Sequence, residues 1–164
     1  MLPDNVDMSE DVIAVHGISK QLAKNRGIHI ESALEIFSLY LQQCKMVVAH
    51  NIDFDMTMVE AECLRAKIKY PFTSEKIYYC TMNKTKDLCN IIRKFRNIGA
   101  YGQLRMESYI KKPTLRELHM HLFKSAPKGL HDAMVDVRVC LRCFLKVVYD
   151  KTLEFGVTKL AMES

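Results

Sequence analysis

The chain has 164 residues and a formal net charge of +5, from 24 Lys and Arg against 19 Asp and Glu. Hydrophobic residues make up 49% and charged residues 26%, an ordinary globular balance that excludes a disordered polymer. No apolar run reaches the ~20 residues of a membrane helix, and no cationic start leads into an apolar stretch with a cleavage site, so neither a membrane protein nor a secreted one is expected.

The first helix candidate is Ser19 to Asn25, after His16-Gly17-Ile18 and closed by Gly27. Glu31 to Gln43 is a stronger one, with Leu34, Phe37 and Leu41 at helical spacing. Met46 to Ala49 is a continuous apolar run that reads as a buried strand. Asp53 to Lys67 follows as a helix, and Ile77 to Cys80 as a second strand. Thr81 to Phe95 is expected to be helical, and Arg96 to Lys112, with Gly99 and Gly102, to be a long loop. Pro113 to Phe123 is a helix with Pro113 near its first turn, and Leu115, Leu118 and Leu122 repeat along it. Lys124 to Leu130 is a loop, and Asp132 to Tyr149 the last long helix. The alternation of strands and helices predicts one α/β domain over residues 1–150, followed by a tail, 151–164.

The six cysteines mostly sit inside apolar patterns, which predicts buried free thiols in an intracellular protein, cytoplasmic or associated with the nucleus. Cys140 and Cys143 form a CxxC, but no second pair completes a zinc set. Charge is concentrated. Lys84 to Lys112 carries eight cations against Asp87 and Glu107, an excess of +6, more than the +5 of the whole chain. With Phe95, Tyr101 and Tyr109 in the same stretch, it reads either as a nucleic-acid surface with stacking groups or as a solvated face.

Two carboxylates resist a bland explanation. Asp55 lies in the first turn of the helix after the apolar strand, where the helix dipole favours negative charge. It also shares a face with Val59, Cys63 and Ala66, the face that buries the helix. Asn51 and Asp53 suffice as caps, so Asp55 is not needed as one. Asp136 aligns with Cys140, Cys143 and Val147, away from the basic stripe of Arg138, Arg142 and Lys146. A carboxylate on that apolar face needs a cation or a hydrogen-bond donor. Five residues before it, His131 stands at the junction of loop and helix, as a general base beside a metal site would. Oxygen ligands next to a basic surface point to Mg²⁺ or Mn²⁺ acting on phosphate esters.

The stretch Val47-Val48-Ala49-His50-Asn51-Ile52-Asp53-Phe54-Asp55-Met56 resembles the second motif of the DnaQ-like (DEDDh) 3′–5′ exonucleases, an apolar strand followed by His-Asn-x-x-Phe-Asp. His131-Asp132-Ala133-Met134-Val135-Asp136 resembles the third motif, His-x-Ala-x-x-Asp. His16-Gly17-Ile18-Ser19 is similar to the His-Gly-Ile-Thr segment ahead of the second motif, and the likeness spans roughly Val12 to Val148. The resemblance implies a ribonuclease-H-like fold, a mixed sheet flanked by helices. It implies that Asp55 and Asp136 hold metal and that His131 deprotonates the attacking water. Asn51, Phe54, His16 and Gly17 would lie near the terminal nucleotide, Phe54 being equally placed for the core. The implied reaction releases nucleoside 5′-monophosphates from single-stranded DNA or RNA 3′ ends with two bound ions.

The chain departs from the family pattern at one place. The first motif, Asp-x-Glu on the first strand, has no counterpart ahead of His16, where the acids are Asp4, Asp7, Glu10 and Asp11. The expectation is therefore an N-terminally incomplete exonuclease-like domain lacking the first strands of the fold. The alternative is an inactive or fragmentary homologue that binds nucleic acid or attends a polymerase. Its partners would then be that polymerase or a missing N-terminal segment.

Overall fold

The computed structural model describes residues 9–98 and 100–153. The tail expected from residue 151 onward lies outside the described residues beyond Leu153, as do Asp4 and Asp7. Helix α1 (Glu10–His16) starts at Ser9, whose side chain accepts from Val12 N, and ends at Gly17 in the left-handed region at φ 72°. Helix α2 (Lys20–Arg26) has the same kind of start, with Ser19 accepting from Leu22 N. Neither helix buries a residue, so both lie at the periphery. Glu10 and Asp11 form the first turn of α1 and so stand on a helix, not on a strand.

Helix α3 (Ile30–Gln43) buries Leu34 and Leu41, as its apolar spacing predicts. Strand β1 (Met46–Ala49) pairs in parallel with β2 (Ile77–Cys80), and helix α4 (Ile52–Ala66) makes the crossover between them. Tyr78 and Tyr79 are neighbours on β2 and point to opposite faces of the pair. Tyr78 meets Phe72, which packs edge-on against Phe37 of α3, while Tyr79 packs edge-on against Phe144 of the last helix. The parallel pair is thus contacted on both sides, yet all four residues of β1 are only half-buried, short of the buried strand that the apolar run predicts.

After β2 the chain departs from expectation. Instead of one helix over Thr81 to Phe95, there are two short turns, α5 (Thr81–Lys84) and α6 (Lys86–Cys89). Asn90 then takes a left-handed conformation, φ 45°, which ends α6. Instead of a long loop, the next residues form an antiparallel hairpin of β3 (Ile91–Ile98) and β4 (Leu104–Lys111). Nearly all of it is exposed.

Helix α7 (Leu115–Phe123) opens with a capping box. Thr114 accepts from Glu117 N, and the Glu117 carboxylate accepts from Thr114 N at 2.8 Å. Helix α8 (Ala133–Tyr149) packs on α7 and on β1. The core lies between the two helices at Leu118, Val139 and Cys143, with Leu115, Leu122 and Phe123 around it. Leu118 and Cys143 are 0% exposed. Burial of a side chain such as Leu118 contributes about 1.5–3 kcal/mol. Leu115, packed against this core, also lines the pocket described next.

Candidate active site

The C-terminal end of β1 delivers Ala49 and His50 to the surface, and Asn51 turns the chain into α4. Asn51 stands at the N-cap position with φ 76° and makes no side-chain cap bond. The expectation that its side chain caps the helix is therefore replaced by a backbone reason, since Asn tolerates the left-handed region better than most residues. Ile52 is buried and anchors the first turn of α4. Asp55 projects from that turn.

The second contribution comes from the loop before α8. Gly129 and His131 both have positive φ, 72° and 81°. A Cβ at Gly129 would meet only Val135 Cγ2, at 3.7 Å, so it is the backbone angle and not lack of space that favours glycine there. His131 adopts the left-handed region without that excuse, a conformation uncommon for residues with a side chain. Asp132 caps α8, accepting from Met134 N at 2.9 Å and Val135 N at 3.0 Å. With the helix start fixed in this way, the backbone N–H of His131 donates to Asp136 Oδ1 at 3.3 Å. Asp136 is half-buried, and this is the donor that the sequence required of it.

Asp55, His131 and Asp136 line one open pocket of about 920 Å³. Val48 and Ala49 of β1 and Thr114, Leu115 and Arg116 at the start of α7 also line it. Asp55 keeps a side open to solvent, yet burial by the pocket walls pushes its carboxyl above the usual carboxylate range. Burial likewise pushes the Cys140 thiol up, with the nearby Asp55 charge adding to it.

His50, also on the wall, is held at both ring nitrogens. Nε2 lies 3.0 Å from the Pro113 carbonyl oxygen and Nδ1 2.9 Å from Thr81 Oγ1. A carbonyl only accepts, so the ring proton of neutral His50 sits on Nε2 and Nδ1 accepts from Thr81. Burial lowers the His50 pKa and keeps the ring neutral, against the hydrogen bond to Pro113. Thr81 is fully buried, and its Oγ1 also lies 3.2 Å from Ala49 O. The network ties the residues that follow β1 and β2 to Pro113, two residues before α7.

Four residues that the resemblance places near the terminal nucleotide do not line this pocket. Phe54 is 60% exposed and belongs to neither the core nor the pocket wall. Asn51 acts through its backbone. His16 Nδ1 accepts from Ile18 N at 2.9 Å, and Gly17 caps α1, both local roles at the edge of the fold. Sequence reasoning gave no role to His50, although it sits between the strand and the helix that carry the motif. It also missed Arg116, a cation four residues past the end of the basic stretch.

The donor set fits a hard cation in part. Two carboxylates with open space between the walls suit an ion that keeps several waters and completes its shell with substrate phosphate. Among the described residues they fall short of the four carboxylates that the family resemblance implies for a pair of ions. Among the described residues no three of His, Cys, Asp and Glu come together as a metal cage, and the CxxC of Cys140 and Cys143 has no further ligand. No helix among the described residues is long and apolar enough to cross a membrane.

Compared with known protein families, the chain matches the one described as exonuclease over residues 2–144. No curated protein matches it.

Proposed function

Because this chain belongs to the exonuclease family, we propose that it hydrolyses single-stranded nucleic acid from the 3′ end and releases nucleoside 5′-monophosphates. Its α/β architecture fits the ribonuclease-H-like fold of that family. The observation that supports the reading is that Asp55, His131 and Asp136, from two elements far apart in the chain, line one pocket.

Asp55 and Asp136 are the residues to hold a divalent cation, Mg²⁺ or Mn²⁺. Such a cation, when bound, lowers the pKa of a water and offsets charge on the phosphodiester. His131 accepts the proton of the attacking water on its imidazole, beside the carboxylate that its own backbone N–H steadies. Arg116, which lines the same pocket, meets the scissile phosphate as a charged donor. His50, neutral and held from both sides, fixes the wall and takes no proton in the reaction.

The test is release of mononucleotides from a 3′-labelled single-stranded oligonucleotide in Mg²⁺ or Mn²⁺. Release that stops on chelation is the expected result. A folded protein that binds the strand and releases nothing would overturn the enzyme reading and leave a binding subunit. That second reading is favoured by one observation, that among the described residues two carboxylates line the pocket where a two-ion site needs four.

A further inference from the structure

The hairpin β3–β4 is the largest feature that the catalytic reading leaves unused. Its register places Arg93 opposite Tyr109, Phe95 opposite Glu107 and Asn97 opposite Arg105. Side chains alternate between faces along a strand. One face therefore carries Arg93, Phe95 and Asn97 with Arg105, Glu107 and Tyr109. The other carries Lys94, Arg96 and Ile98 with Leu104, Met106 and Ser108.

On the first face Phe95 and Tyr109 pack edge to face, with ring centroids 5.9 Å apart. They remain 42% and 53% exposed, respectively. Arg93 lies on the root side of the pair and Arg105 on the tip side. Among the described residues no ion pair engages Arg93, Lys94, Arg96 or Arg105. The one carboxylate on the hairpin, Glu107, accepts from Asn97 Nδ2 at 2.9 Å. Two aromatic rings bracketed by unpaired guanidinium groups on a solvated sheet face match the chemistry of a strand with stacked bases and phosphates on both sides. They match an apolar protein surface poorly.

The hairpin is also continuous with the pocket. Strand β4 ends at Lys111, which donates to Glu117 of α7 at 2.7 Å. The next residues, Thr114 to Arg116, are the pocket wall. We infer that the Phe95–Tyr109 face of the hairpin is a second contact site for single-stranded nucleic acid, outside the pocket, holding the strand whose end enters it. This rests on the nuclease reading for the identity of the strand, and not for the contact itself.

The measurement is fluorescence anisotropy of labelled oligothymidylate and oligouridylate, about twenty nucleotides long, bound by the full chain in EDTA, so that no hydrolysis is required. Phe95→Ala with Tyr109→Ala is expected to weaken binding about tenfold or more. Arg93→Ala with Arg105→Ala is expected to flatten the salt dependence by about 1.4 in log–log slope, for two phosphates lost at about 0.7 each. Leu104→Ser with Met106→Ser, on the opposite face, is expected to leave affinity unchanged. If the alanine pair disturbs the hairpin by circular dichroism, Phe95→Leu with Tyr109→Leu keeps apolar bulk, loses the rings and must still weaken binding.

Unchanged affinity in both aromatic pairs would overturn the inference. So would a concentration-dependent dimer lost in Phe95→Ala with Tyr109→Ala while strand binding stays intact, which would assign that face to contact between copies. A wild-type chain that binds and does not cleave would remove the nuclease reading and leave this contact standing. A chain that cleaves and binds without regard to Phe95 and Tyr109 would do the reverse.

Discussion

The backbone N–H of His131 donates to Oδ1 of Asp136, so the residue expected to move the proton and the residue expected to hold the cation are joined through main chain. An amide oxygen accepts that bond as well as a carboxylate oxygen does. Asp136→Asn should therefore preserve the turn while removing the charge. Nuclease activity is expected to fall by two orders of magnitude or more, with the melting temperature close to wild type. His131→Ala should lower the rate about 10²–10⁴-fold, as loss of a general base does, and leave the protein folded. Initial rates on a labelled oligonucleotide and thermal melts read both effects.

Asp55 carries a cost in the absence of cation. Burial raises its pKa above the usual carboxylate range, so the native state holds the proton to a higher pH than the unfolded chain does. Between the two values the native state binds more protons, and stability falls as pH rises. Asp55→Asn should abolish that fall in metal-free protein. Mn²⁺ should raise the melting temperature of wild type and leave the variant unmoved, as expected when a ligand binds only the native state through the missing group.

The sign is opposite for His50. Its native pKa is lowered by burial, so below about 6.5 the unfolded chain takes up a proton that the native ring refuses. Stability is full above that pH and declines as pH drops toward the native value. His50→Ala should flatten this acid-side decline. At neutral pH it should destabilise by about 1–3 kcal/mol for the Pro113 carbonyl left unpaired, while the Thr81 hydroxyl can donate to Ala49 O instead. Urea melts across pH 5–8 (roughly the His titration range) would show both.

The Cys143 thiol is 0% exposed, and burial pushes its pKa up to about 12. It is expected to resist alkylation in the native protein at pH values near 8, where an ordinary thiol of pKa ~8.5 reacts. The half-buried Cys44 should be labelled first. Mass spectrometry before and after denaturation would place the modification, and early labelling of Cys143 would contradict the packing of α7 on α8.

Much of the site was legible because its residues interrupt a pattern. Asp55 and Asp136 stand on faces that are otherwise apolar, and His131 lies two residues past Gly129 next to a helix start, so each is visible one residue at a time. The hairpin was not legible, for two reasons. Leu88, Ile91, Ile92 and Phe95 are spaced like one stripe of a helix, which argues for continuing α6 through Asn90. And a hairpin with no buried face has no alternation of apolar and polar residues to betray its period of two. His50 and Thr81 escaped because their function is to meet across 31 positions of sequence, a relation that no local spacing records. Helix α1 escaped too, since Val12 and Val15 are exposed and leave no apolar stripe.

Glu117 joins two structures that could otherwise move apart. Its carboxylate accepts from Thr114 N to start α7 and from Lys111 Nζ at the foot of β4. Burial opposes its charge, but these donors hold its pKa below the usual range, so the junction stays ionised at neutral pH. One residue away, the Pro113 carbonyl is pinned to His50. The hairpin is thus mounted like a bracket whose bolts pass through the pocket wall. On the proposed reading, a strand lying along the hairpin would meet Asp55 and Asp136 at a separation set by the protein skeleton, so the distance from grip to cut would be a built-in gauge.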